Sequence, residues 1–181
     1  YNPQLKGAPN FVPGVMALIL LIVCVMMTAI AIVKEKETGT MEILLVSPMK
    51  PSFVIIAKAV PYFILSMLIV LVILILSYFL LDLPIKGSLI LLLFVSTIFI
   101  LTNLLIGILI SIFVKTQQQA MLISLIATML PTLMLSGFMF PIENMPIPLQ
   151  VVSNIIPAKW YYIMIKNIMI KGTGISIIWK P

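Results

Sequence analysis

Few residues in this sequence could do covalent or acid-base chemistry. Its 181 residues include no histidine, one cysteine (Cys24), five acids (Glu35, Glu37, Glu42, Asp82 and Glu143) and eleven lysines, for a net charge of +6. Without histidine there is no Ser-His-Asp arrangement and no His-based zinc site. The acids all fall outside the long apolar stretches, which excludes a carboxylate pair buried in a bilayer. No catalytic residue and no metal ligand is therefore assigned, and the chain is not expected to be an enzyme. Cys24 stands alone inside an apolar stretch, so a packed thiol is expected rather than a disulfide or a metal ligand. A G-x-x-x-x-G-K-[ST] phosphate loop is also lacking, so nucleotide chemistry must come from another polypeptide.

The elements that carry these residues follow from composition. Apolar residues make up 62% of the chain and charged ones 9%, with a mean hydropathy of +1.28. A water-soluble domain carries about a quarter charged residues, so this chain belongs in a membrane. Four stretches hold no ionisable side chain: 14–33, 59–81, 88–114 and 120–140. Each reaches the roughly 20 residues a helix needs to cross the hydrocarbon layer, which predicts an all-α integral membrane protein with at least four spans. The lysines are dispersed along loops and span ends, as lipid headgroups would favour, and form no patch for nucleic acid. Tyr1 stands where a start Met would be, and no basic segment precedes the first span. The first span is therefore not read as a signal peptide, and the chain reads as a fragment of something longer.

Segment 1–12 holds Pro3, Gly7 and Pro9 and is expected to approach the membrane irregularly, with Pro13 in the first turn of the first helix. Lys34-Glu35-Lys36-Glu37 would end that span in water, and Gly39 would break the backbone. Met41 to Val46 then forms a short helix with Glu42 as its one polar residue, stopped by Ser47-Pro48. Its apolar side must lie in the headgroup interface or against a partner protein. Pro51-Ser52 restarts the chain, with Ser52 as the expected N-cap. In the third span, Ser96, Thr97, Thr102 and Asn103 could bond between helices, the commoner role, or line a path. Beyond Phe140, Pro141, Pro146, Pro148 and Pro157 allow only short helices. The segment 160–170, opened by Trp160, Tyr161 and Tyr162, is expected in the membrane interface, with a re-entrant hairpin as the alternative. Span parity puts Lys34, Lys36, Lys50, Lys58 and Lys115 on one side and Lys6, Lys86, Lys159, Lys166, Lys171 and Lys180 on the other. That distribution alone does not fix orientation.

Three groups of residues resemble a known family. The first is Glu35-x-Glu37-x-Gly39-Thr40-x-Glu42-x-Leu44-Leu45-x-Ser47-Pro48, followed by Lys58 and Pro61-Tyr62. The second is Leu135-Ser136-Gly137-Phe138-Met139-Phe140-Pro141 with Met145-Pro146, and the third is Pro157-Ala158-Lys159-Trp160-Tyr161. With Asn2-Pro3 and Asn10 to Gly14 in addition, nearly the whole chain is similar to the type-2 membrane subunits of ATP-binding-cassette (ABC) exporters.

That resemblance implies a six-span permease of which these are the second to fifth spans, with 1–12 an extracellular approach segment and 13–181 the transmembrane domain. Segment 34–58 would be cytosolic and hold the coupling helix. It would meet a separate ATPase subunit through Glu35, Glu37, Gly39, Thr40, Met41, Glu42, Leu44, Leu45, Ser47 and Pro48. ATP and Mg would be bound by that partner, and none by this chain. Residues 141–181 would form an extracellular region of interfacial or re-entrant helices. A second permease, identical or related, would complete the pair in a bacterial or archaeal cell membrane, with no nucleic acid among the partners. The uncharged spans argue against a proton or sodium relay, so an ion-coupled carrier or a non-transport scaffold stands only as the competing reading.

Overall fold

The computed structural model describes residues 8–40, 51–81, 87–138 and 142–172, and among these it is entirely helical. Four helices are long and apolar enough to cross a membrane: Phe11–Glu37, Phe53–Phe79, Leu89–Phe113 and Gln117–Leu135, the first to fourth spans here. The first span is built from α1 (Ala8–Leu21), a wide π-helical segment (Ile22–Met27) and α2 (Thr28–Glu37). The second and third lie within α3 (Pro51–Leu81) and α4 (Leu89–Phe113). The fourth comprises α5 (Gln117–Ser124), a second π segment (Leu125–Met129) and α6 (Leu130–Leu135). A 3-10 turn (Ile142–Asn144), α7 (Ile147–Ser153), α8 (Pro157–Lys166) and a last π segment (Asn167–Lys171) follow.

The first span is the hub of the bundle and touches all three others. Its most apolar window is 50% buried, against 17% for that of the second span. The second span buries one narrow stripe, Ser66, Val70, Leu74 and Ser77, spaced by three or four residues as one helix face requires. Its remaining faces expose Ile64, Leu68, Val72, Ile75 and Phe79, which is the surface lipid expects. First and third spans meet at Gly107, where a Cβ would lie 2.7 Å from the Val25 carbonyl oxygen. Only a residue without a side chain admits that approach, the way small residues let membrane helices close. Val25 belongs to the π segment of the first span, which also packs on that of the fourth.

Several helix limits differ from the sequence expectation. The first helix begins at Ala8, so Pro13 lies inside it rather than in its first turn, and Pro51 rather than Ser52 opens the second span's helix. A proline within a turn or two of a helix start removes a single backbone bond, which the packing of Val12 and Met16 offsets. The fourth span stops at Leu135, short of Phe140, because Gly137 takes a left-handed turn at φ +81°. An uncharged stretch marks what lipid tolerates, whereas glycine in that conformation marks where the helix stops.

The larger correction concerns 160–170. Tyr161 and Tyr162 are buried, and α8 packs on the first and third spans. Tyr161 stacks on Phe99 with ring centroids 4.0 Å apart and 8° between planes, and its hydroxyl bonds Ser96 Oγ at 3.0 Å. At the other end, Ile168 packs so closely on Gly87 that a Cβ there would lie 2.5 Å from the Ile168 carbonyl oxygen. The helix therefore rises from halfway along the third span to that span's first residues. The chain leaves the fourth span at Phe138, beside Gly14, and returns to the same end of the bundle. This is the re-entrant arrangement, with Tyr161 and Tyr162 turned inward to pack while Trp160 stays exposed.

Candidate functional site

At the opposite end of the bundle, three consecutive residues each reach a different span. Glu35 accepts a hydrogen bond from Lys58 Nζ at 2.6 Å, which ties the first span to the foot of the second. Lys36 Nζ donates to the Ser111 carbonyl oxygen in the last turn of the third. Glu37 Oε2 accepts from the Gln117 backbone N–H at 3.0 Å and from its Nε2 at 2.9 Å, at the first turn of the fourth. Neighbours on an α-helix point about 100° apart, so three in a row fan over most of the circumference. A central helix with charged residues at 35, 36 and 37 is thereby fastened to all its neighbours at one level.

The helix ends just past this fan. Thr38 Oγ1 donates to the Lys34 carbonyl oxygen at 2.8 Å, and Gly39 adopts φ +73°, the left-handed conformation that terminates helices. Gly39 thus gives the break expected of it. Thr40 Oγ1 donates to Glu35, which joins the chain after the turn to the fan. Both carboxylates lie beyond the apolar stretch 14–33.

Of the residues the sequence assigned to a partner contact, Glu35, Glu37, Gly39 and Thr40 are thus placed, and the two carboxylates are engaged within the chain. Met41, Glu42, Leu44, Leu45, Ser47 and Pro48 lie outside the described residues. Among the third-span polar residues, Ser96 bonds the Tyr161 hydroxyl of another helix. Thr97, Thr102 and Asn103 donate back to carbonyls of their own helix, at Leu93, Ile98 and Phe99. The Thr97 hydroxyl also donates to the Met67 sulfur at 4.0 Å, and the Asn103 Oδ1 is buried without a partner among the described residues. Cys24 is packed as expected, and it pairs with Ser66 Oγ of the second span at 3.0 Å.

Sequence reasoning missed the intramolecular use of Lys36 and Gln117. The signal for Lys36 was present in the alternation of charge at 34–37, since four charges at the end of a central helix face four directions. For Gln117 there was none beyond its place at the start of a span.

The sequence as a whole matches the model of the ABC-2 family transporter proteins over residues 1–181. It is 34% identical over 172 residues to the "Probable multidrug ABC transporter permease YbhS" of Escherichia coli strain K12, covering 95% of this chain and 46% of that protein. It is 35% identical over 180 residues to the permease YbhR of the same strain, covering 99% and 49%. It is also 25% identical over 174 residues to "ABC transporter G family member 20" of Dictyostelium discoideum, covering 96% and 24%. The chain thus spans about half the length of the Escherichia coli relatives. No solved structure matches significantly. The four apolar helices and the family match together make this a multi-pass cell-membrane protein, and the chain belongs to the ABC-2 family of transporter proteins.

Proposed function

We propose that this chain is the membrane core of an exporter permease, driven by ATP hydrolysis on a separate subunit that docks on residues 41–46. The fan at Glu35, Lys36 and Glu37 carries this reading. It sits directly before the proposed docking segment and grips every span, so a displacement there reaches the whole bundle. ATP binding and Mg belong to the partner. Closure of two cassettes moves the docking segments of two permeases, and the spans tilt to open the path outward. The equilibrium shifts only because the cassettes bind the two conformations with different free energies. The end bearing Lys36, Lys58 and Lys115 faces the cytosol, and the hairpin faces outward. Relatives described as multidrug permeases support a hydrophobic or amphipathic cargo.

The test uses the complete protein with its ATPase. Leu44→Asp buries an unpaired charge in the docking surface, a cost of several kcal/mol. It is expected to leave membrane insertion intact while abolishing ATPase co-purification and transport. Normal retention of the ATPase by Leu44→Asp would overturn the docking assignment.

A further inference from the structure

The hairpin carries a lysine to a depth where the four spans hold no charge. Pro157, Trp160 and Tyr161 line one groove with Ile98, Phe99 and Thr102. Thr102 lies thirteen residues, about 20 Å, along the third span from Leu89, just past the midpoint of that helix. Lys159, in the first turn of α8, is therefore near the middle of the membrane layer. An ionisable residue at that level is rare and expensive, and is retained where it meets a ligand or an ion path.

Among the described residues, the partners of Lys159 are all neutral. Its ammonium donates to Ser153 Oγ at 3.0 Å and to Asn154 Oδ1, and it stands 5.6 Å from the centre of the Trp160 ring. An ammonium has three N–H donors, so one remains for another acceptor. Among the described residues the one lysine–carboxylate pair is Lys58–Glu35, at the far end of the bundle. Glu143, the sole acid after Asp82 in the sequence, lies in the 3-10 turn that precedes α7. Three neutral groups solvate and orient the cation without neutralising it.

Beside Trp160 opens the groove between the third span and α8, about 220 Å³, almost wholly apolar and lined by Val95, Ile98, Phe99, Trp160 and Met164. It is smaller than the ~300–1,000 Å³ that encloses a drug-sized molecule, so it takes one apolar arm of a ligand. A charged head and an apolar arm in one molecule describe an amphiphile. Its charge is negative, by complementarity with a cation that meets no acid among the described residues. A bilayer phospholipid keeps its headgroup at the surface, far above this level, so the occupant is a molecule in passage.

We propose that Lys159, with Asn154 and Ser153, binds the carboxylate of a single-chain anionic amphiphile whose tail lies in the groove against the third span, as cargo of the exporter. This rests on the exporter reading and adds to it the sign of the cargo's charge and a place where the cargo pauses.

The experiment uses the complete protein with its ATPase and a photoactivatable decanoate with a diazirine on its tail, with labelled positions mapped by mass spectrometry. Saturable labelling at 95–102 and 157–164 is expected, displaced by decanoate and roughly tenfold less well by decanol or phosphatidylglycerol. Lys159→Gln should weaken apparent affinity roughly tenfold, and Lys159→Arg should restore it. Equal displacement by decanol, or unchanged labelling of Lys159→Gln, would overturn anion recognition. So would equal loss in Lys159→Arg. Equal displacement by phosphatidylglycerol would make the occupant a bilayer lipid and overturn the cargo assignment. ATPase co-purification is scored on the same preparation. Its absence from the wild-type protein rejects the exporter reading, whatever the labelling shows.

Discussion

The two ends of this bundle are fastened by different chemistry. At one end, single polar contacts hold the first span to its neighbours: Glu35 to Lys58, Lys36 to Ser111 and Glu37 to Gln117. At the other, a helix is wedged between spans by shape, with Tyr161 against Phe99, Ile168 against Gly87 and Phe138 against Gly14. Exposed polar contacts are each worth at most about 1 kcal/mol and exchange readily with water, whereas interdigitated packing resists small displacement. The charged end can re-pair under displacement without letting go of its neighbours, while the packed end keeps its arrangement. On the proposed exporter reading, a machine driven from one side is served by this asymmetry: the end that receives the push yields, and the end that bounds the path moves as a unit.

Breaking the packed end should therefore have the largest effect. Tyr161→Ala removes the ring stacked on Phe99 and leaves a hole at mid-depth, a change that costs about 3 kcal/mol in protein cores. The complete protein carrying it should reach a lower level in the membrane and melt earlier in detergent than wild type. A melting curve superimposable on wild type would mean that the hairpin is held by something other than this wedge.

A finer variant separates shape from polarity within the same region. Tyr161→Phe keeps the ring and loses only the bond to Ser96, and Ser96→Ala loses the same bond from the other side. Hydrogen bonds between membrane helices average about 0.6 kcal/mol, so each single change should lower stability slightly. The double variant should be no worse than either single one. Additive losses would show that the two hydroxyls act through separate partners.

The difference between the ends also governs what the sequence could reveal. Span number and the short prolines-and-aromatics region follow from apolar length and from Pro141 to Pro157, since bilayer thickness imposes them directly. Gly39 was readable as a break because left-handed backbone has a residue type of its own. The side of Tyr161 that meets Phe99 was not readable, because an aromatic trio suits a lipid interface and a packed hairpin equally. Packing between segments 62 residues apart chose between them. The depth of Lys159 was hidden for the same reason. A lysine beside tryptophan reads as an interface anchor until Pro157 and Trp160 are seen to line one groove with Thr102. In the candidate site, the charge at 35–37 was plain, but the identity of each partner depended on which span ends lay next to it.

The smallest expected change in stability, and the sharpest test of the comparison, is at Glu35 and Lys58. The Lys58 side chain is 40% exposed, so loss of the pair is screened by solvent, and Lys58→Glu should leave thermal stability close to wild type. In that variant, however, two carboxylates face each other at the foot of the first and second spans, and the link proposed to carry motion between them becomes repulsive. Transport and coupled ATP hydrolysis should fall several-fold while ATPase retention persists, because the docking segment itself is untouched. Glu35→Lys should behave alike, with two ammonium groups in place of two carboxylates. The double variant Glu35→Lys/Lys58→Glu restores opposite charges at the same positions and should recover most of the transport. Thr40 is a second tie in this balance: its hydroxyl donates to the wild-type Glu35 carboxylate and must turn to accept from a lysine, so recovery stays short of complete. If the single variants transport normally, the fan is a surface decoration and force passes through the buried contact of Gly107 with Val25 instead. If the double variant fails as badly as the single ones, the pair acts through its particular geometry, and charge complementarity alone does not explain the link.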